Sequence, residues 1–221
     1  MTSARHAAPV EDALLEAREL TLKTGQGRAF GPLDLVVRPS AAHLLAGPSG
    51  SGRSAALLAL TGRMPGVTGE LVVDGIDALA HPGKVRRITS VARLAGLVVN
   101  EPKLTVAESL TERCLLDAVS TGDGEMAFTR ASDLLGLDVD RSLETERLAA
   151  VDQLRLAVAL ACVRPSKLII VDDLETNLAP PDVDLAISSL TALAASGPAV
   201  IAATLGPHDA TLDTTHLPQE S

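Results

Sequence analysis

Aromatic side chains are almost missing from this 221-residue chain, which has two phenylalanines and neither tyrosine nor tryptophan. That scarcity counts against recognition of single-stranded nucleic acid by base stacking, because there are almost no rings to stack on. Basic charge is also short. Nineteen Lys and Arg face 28 Asp and Glu, a net charge of −9, where a phosphate-backbone binder shows a basic face. No nucleic-acid partner is expected. The two cysteines, Cys114 and Cys162, form neither a metal spacing nor a disulfide framework and read as reduced thiols. The five histidines are scattered, with no pair spaced for a metal. No apolar run reaches the roughly 20 residues of a membrane span, and Met1–Ala17 lacks the apolar centre of a secretory leader. A cytoplasmic protein without direct membrane insertion is expected.

What the chain does have is aliphatic. Residues of the apolar set make up 46% and charged residues 21%, a globular composition whose core must be built from Leu, Val, Ile and Ala. The length suits one domain, with room for a smaller subdomain. Residues 1–13 are expected to be a flexible N-terminus and 207–221 a flexible tail. Between them, LLEARELTLK and LDLVVRP read as strands around a turn at Thr24–Gly27. GELVVDGIDAL reads as a hairpin turning at Asp74-Gly75. ITSVARLAGLVV is a further strand region. Helical spacing runs from Thr105 to about Ala161, with a glycine-containing loop expected at Ser120–Glu125. LIIVDD and PAVIAATL are continuous apolar runs of the kind buried in a parallel sheet, with a helix over roughly Asp182–Ala194 between them.

The strongest chemical signal is Gly47-Pro48-Ser49-Gly50-Ser51-Gly52-Arg53-Ser54. It follows the apolar strand HLLA and opens a helix, the setting that a phosphate loop requires. Glycines let successive backbone N–H groups turn towards one anion, and the helix N-terminus adds its positive end. The pattern is that of a nucleotide-binding loop with Arg53 in place of the usual Lys. Ser54 can still offer its hydroxyl to Mg²⁺. The second signal is Leu168-Ile-Ile-Val-Asp172-Asp173, an apolar strand ending in two carboxylates. In phosphate-loop proteins the first such acid holds Mg²⁺, and the second can orient the attacking water.

Together these pieces resemble the ATP-binding cassette (ABC) family, the nucleotide-binding subunits of ABC transporters. The resemblance runs from about Leu14 to about Gly206. Order carries it: two front strands, the Gly47–Ser54 loop, the GELVVDG hairpin, LVVNEPKLTVAESL, then a helix start at Leu148–Gln153 leading into LRLAVALACVRPSKLIIVDD. The resemblance implies an α/β fold with a RecA-like P-loop NTPase core, an antiparallel front β-subdomain and a helical subdomain. It places the ABC-type domain at 14–206, with the helical subdomain at about 103–160. It also implies ATP and Mg²⁺ as ligands, transmembrane subunits or a second cassette as partners, and a peripheral position at the inner face of the plasma membrane.

The sequence departs from the family pattern at most catalytic positions. Asn100 stands where the family's Gln is expected, as a third candidate Mg²⁺ ligand beside Ser54 and Asp172. Asp173 replaces the catalytic Glu. Both side chains are one methylene short, a loss of roughly 1.5 Å of reach against hydrogen bonds of about 2.6–3.2 Å. The signature L-S-G-G-Q reads Leu148-Ala149-Ala150-Val151-Asp152, so the hydroxyl and a bare glycine are lost and a negative charge is gained. Leu174-Glu-Thr-Asn-Leu-Ala179 replaces Pro-Thr-Ser-Ala-Leu-Asp. The switch His falls on Leu205, with His208 three residues on, and the adenine-stacking ring falls near Thr24. Removing one well-placed base or electrostatic donor costs on the order of a hundredfold in rate. The expectation is weak Mg·ATP binding with slow or absent hydrolysis. A slow ATPase with Asp173 as base is the alternative, and a small-molecule kinase the more distant one. Arg53 is also expected to reach Asp172 or Asp173 and fill the site from within.

Overall fold

The structure, a computed structural model, describes residues 12–94, 97–206, 208 and 212–218. Residues 1–11 of the expected flexible N-terminus lie outside the described residues. Two sheets organise the chain. β1 (Leu15–Thr24) and β2 (Gly27–Val37) form an antiparallel hairpin, closed by the expected Thr24–Gly27 turn. β4 (Val67–Val73) and the short β5 (Ile76–Asp77) extend it in the order β2-β1-β4-β5. Alternation drives this sheet. Leu33, Leu35 and Val37 are buried while Asp34 and Val36 between them are exposed, so one face packs inward and the other meets water.

The second sheet is parallel and holds β3 (Ala42–Ala46), β6 (Thr89–Arg93), β7 (Leu168–Val171), β8 (Ala199–Thr204) and β9 (Asp213–His216), in the order β6-β7-β8-β3-β9. Its central strands are buried on both faces. In β7, Leu168 and Ile170 join the core shared with the front sheet, whereas Ile169 and Val171 join the core beneath the helices. Continuous apolar runs are what such two-sided burial needs. α1 (Arg53–Leu60) and α2 (Pro82–Ile88) follow β3 and β5. α3 (Val106–Asp117), α4 (Thr121–Leu135), α5 (Ala150–Ala161) and α6 (Pro180–Ala195) cover the other face of the parallel sheet, the first three making the helical part of the chain. The expected mixed α/β architecture, with a parallel core sheet and an antiparallel front sheet, is therefore the one observed.

Two local expectations are corrected, and one helix, α2, was not anticipated. Ser120–Glu125 is not a loop: Ser120 caps α4 by accepting the Asp123 N–H at 3.1 Å. Gly124 lies inside the helix, where a Cβ would stand 2.2 Å from the Cys114 sulfur, so this glycine serves close packing and not a turn. α2 was hidden because its seven residues carry one buried side chain, Val85, too short for a readable period. The tail beyond Gly206 is not loose throughout. β9 pairs with the β3 edge, and the Leu217 N–H continues the pairing to the Ala46 carbonyl at 2.7 Å. His43 Nε2 and Thr215 Oγ1 add a side-chain bond of 2.9 Å between the same two strands.

Candidate functional site

β3 delivers the chain to the Gly47–Ser54 loop, and α1 begins at Arg53. Gly52 has φ +81 and is sealed against β2: a Cβ would stand 1.8 Å from the Ala29 carbonyl oxygen. Gly50 has φ +83 and open space around it. The loop thus needs glycine at 52 for both conformation and fit, and at 50 for conformation alone. Two loop amides are used internally. The Gly47 N–H donates to the Thr204 carbonyl at 3.0 Å and the Ser51 N–H to the Pro48 carbonyl at 3.1 Å. The first N–H groups of α1 have no intrahelical acceptor, and Gly52 offers no side-chain cap. Ser51 and Arg53 are 3% and 7% exposed. Among the described residues, Ser51 Oγ and Arg53 Nη1 are buried without a hydrogen-bond partner. Orphaned buried donors at a helix N-terminus suit an anion with several oxygens, which is what a nucleotide's phosphates present.

β7 brings the acids to this loop. Ser54 Oγ donates to Asp172 Oδ2 at 2.6 Å, and Asp172 is fully buried. A hydroxyl and a carboxylate side by side are the hard oxygen donors that Mg²⁺ takes, so the pair fits that ion. Arg53 Nη2 lies 3.4 Å from Asp173 Oδ1, with Asp173 one-third exposed. The expected internal pairing of Arg53 with an acid is present. Asn100 does not join the Ser54–Asp172 pair. Its Nδ2 donates to the Gln153 carbonyl at 3.1 Å, and it shares a cleft of about 330 Å³ with Arg93 and Asp173. Its amide nitrogen is thus held by α5.

Two residues that the sequence reading did not single out complete the constellation. Arg93, at the end of β6, donates through Nε to the Asp172 carbonyl at 3.1 Å and through Nη2 to the Asp173 carbonyl. It thereby grips the backbone where Asp173 takes a left-handed φ of +48°, a conformation that costs a non-glycine residue on the order of 1 kcal/mol. Burial pulls the Arg93 guanidinium below its ordinary value, against the opposing pull of Asp173, Asp172 and Glu175. Glu175 accepts from Thr204 Oγ1, from the Leu205 N–H at 2.8 Å and, at 2.8 Å, pairs with His208 Nε2. Burial pushes the Glu175 carboxyl up, but these donors outweigh it and hold it below its ordinary value. Nothing in the strand pattern marks Arg93. The one available signal for Glu175 is its place two residues after the acid pair.

The signature stretch forms the start of α5. Ala149 is its N-cap and Ala150 its first residue, and Leu148 and Val151 are buried in the helical core. Asp152 Oδ1 lies 3.2 Å from Arg155 Nη1 on the same helix. Among the described residues, no hydrogen bond or ion pair joins 148–152 to the Gly47–Ser54 loop. Thr24, the expected ring position, closes the β1–β2 turn by donating to the Gly27 carbonyl. No helix among the described residues is long and apolar enough to cross a membrane.

The ABC transporter family profile matches residues 30–175, about two-thirds of the chain. A hemin import ATP-binding protein, HmuV of Myxococcus xanthus, is 29% identical over 144 residues, covering 65% of this chain and 51% of that protein. A cytochrome c biogenesis ATP-binding export protein, CcmA of Xylella fastidiosa, is 27% identical over 179 residues, covering 81% and 78%. The chain thus spans about half the length of the first relative. Among solved structures, cbiO1 of Clostridium perfringens, described as part of an ABC transporter complex, superposes with a TM-score of 0.74 at 18% identity, covering 89% of this chain and 80% of that one. At that identity the superposition establishes the shared fold.

Proposed function

Because this chain belongs to the ABC transporter ATP-binding family, we propose that it is a cassette subunit whose own site binds Mg·ATP weakly and hydrolyses it slowly or not at all. The observation that carries this reading is the Arg53–Asp173 contact across the loop. A phosphate group that takes both ends of the Arg53 guanidinium displaces Asp173 from Nη2, so part of the binding energy goes into breaking an internal pair. Gly47, Pro48, Ser49, Gly50, Ser51, Gly52, Arg53 and Ser54 form the phosphate cradle in this reading. Ser54 and Asp172 hold Mg²⁺, which when bound would neutralise phosphate charge. Asn100, whose amide nitrogen donates to the Gln153 carbonyl, keeps its side-chain oxygen as a third candidate donor to Mg²⁺.

Weak chemistry follows from the same groups. A general base must lie within hydrogen-bond reach of the water it activates. Asp173 is short, turned to Arg53, and set on a left-handed backbone gripped by Arg93. Its carboxylate is therefore occupied as an ion-pair acceptor. Asp152 heads the signature helix, where a closing partner would bring phosphate, and its charge opposes that approach even while Arg155 partly screens it. Transmembrane subunits of a transporter, or a second and competent cassette, are the proposed partners, at the cytoplasmic membrane face. Two identical chains would set one substituted signature against one substituted loop on both sides, which favours a different partner. The domain reading remains an ABC-type unit over 14–206 with a helical part near 103–160.

One observation supports the alternative of a slow ATPase. Asp173 is one-third exposed, so water reaches it. Phosphate release by the purified chain with Mg·ATP, against an Asp172→Asn control, separates the two. Turnover below about 0.01 per second, unchanged in the control, supports the non-hydrolytic reading; any faster turnover that the control abolishes supports the slow ATPase and overturns it.

A further inference from the structure

We infer that this site reads the phosphate chain of its ligand and not the base, so that any nucleoside triphosphate, or inorganic tripolyphosphate, occupies it with similar affinity. The inference rests on the phosphate-binding reading above and adds a statement of specificity to it.

Base recognition by stacking needs an accessible flat group. The chain has two Phe and neither Tyr nor Trp, and both Phe rings are consumed by packing. Phe128 is 2% exposed in the helical core, with Arg141 over its face at 5.0 Å. Phe30 is 1% exposed and forms the floor of the loop itself: its Cβ is 2.8 Å from where a Gly52 side chain would begin. A ring that supports the loop from below cannot also receive a base above it. A guanidinium plane could stack instead. Arg28 is the cation on β2 closest in sequence to the loop floor at Ala29 and Phe30. It is folded back, its Nη1 donating to the Gly31 carbonyl at 2.9 Å. Thr24 is bound within its own turn, accepting from the Gln26 N–H at 3.2 Å.

The phosphate side of the site is, by contrast, well equipped. Ser51 Oγ and Arg53 Nη1 are buried donors awaiting acceptors, Ser54 sits beside Asp172, and the first amides of α1 lack intrahelical acceptors. Every one of these groups addresses phosphate or its counter-ion. Stacking on a side chain separates a nucleotide from a bare polyphosphate by roughly fivefold to a hundredfold or more, and among the described residues no exposed Phe, Tyr or Trp ring supplies that discrimination.

The test is calorimetric titration of the full chain with the Mg²⁺ complexes of ATP, GTP, CTP and tripolyphosphate. It is repeated on Arg53→Ala and on the milder Ser51→Ala, each checked for an unchanged thermal transition. The expected result is four dissociation constants within about threefold of one another, all weakened together in at least one folded variant. ATP binding tenfold or more tighter than the other three, yet sensitive to Arg53 or Ser51, would overturn base indifference and leave the nucleotide site standing. Binding of all four unaffected by both variants places them elsewhere and overturns the inference. No binding by any of the four removes the proposed site and the inference with it.

Discussion

Arg53 Nη2 stands 3.4 Å from Asp173 Oδ1, while one residue further along each segment Ser54 Oγ donates to Asp172 Oδ2 at 2.6 Å. Two consecutive residues of the phosphate loop thus engage two consecutive acids at the end of β7. The site is internally paired at Arg53 Nη2 and Ser54 Oγ, and a ligand that uses either must compete with the protein for it.

That competition makes Asp173→Asn a gain-of-binding substitution. Loss of the carboxylate frees Arg53 and removes a negative charge from beside the phosphates. Because Asp173 is one-third exposed, solvent screens part of the effect, and ATP affinity should rise by about threefold to tenfold. Calorimetry with Mg·ATP decides it, and unchanged or weaker binding would show that the pair does not oppose the ligand.

Removal of the metal should weaken ATP through Ser54 and Asp172 specifically. EDTA should lower the affinity of the parent chain, whereas Asp172→Asn should bind ATP equally with and without Mg²⁺, since the ion needs the charged oxygen. The isosteric amide can still accept from Ser54, so the fold is expected to survive. A persistent Mg²⁺ dependence in Asp172→Asn would move the metal site elsewhere.

The two left-handed glycines of the loop should respond differently to alanine. Gly50→Ala meets open space and carries only the backbone cost of about 1–2 kcal/mol. Gly52→Ala adds a collision with the Ala29 carbonyl at 1.8 Å, for a loss of about 3 kcal/mol or more and a displaced loop. Thermal denaturation should rank the parent above Gly50→Ala and Gly50→Ala above Gly52→Ala. Equal losses would mean that the loop is not seated on β2.

His43 should make the fold acid-sensitive near neutrality. Burial lowers its pKa below the ordinary 6.5, with Asp213 pulling back only in part. The unfolded chain therefore binds a proton at a pH where the folded one does not. Stability from this group is complete above about pH 6.5 and falls as the pH drops below it towards the folded pKa. Denaturant titrations at about pH 7.5 and pH 5.5 should show that fall in the parent and less of it in His43→Gln. Glu175 acts in a lower window: its depressed carboxyl keeps its contribution above about pH 4.5 and loses it as the pH falls further.

Much of the fold was legible because it depends on local pattern. The LIIV and AVIAAT runs announce central parallel strands, Asp74-Gly75 announces a hairpin turn, and the glycine-rich loop between β3 and α1 announces its own conformation. Less of the site was legible. Arg93 lies about 80 residues from the carbonyls it grips and about 40 from the loop, and no period or spacing relates it to either. Glu175 and His208 meet across the ends of β7 and β8, a proximity that exists only once the parallel sheet has formed. β9 was missed for a similar reason. Asp213–His216 is polar, with burial alternating only weakly, and it becomes a strand because the β3 edge offers it hydrogen bonds.

By itself, the sequence settled what types of group are available: a phosphate loop with arginine for lysine, an acid pair ending an apolar strand, and neither tyrosine nor tryptophan. These are matters of composition and short spacing, which the unfolded chain already carries. Only the tertiary structure decided how those groups are spent, with Arg53 turned to Asp173, Asn100 drawn to α5 and Arg93 recruited from another strand. The physical reason is that a buried charge or amide must find a partner, and which partner lies within reach is a property of packing, not of order along the chain.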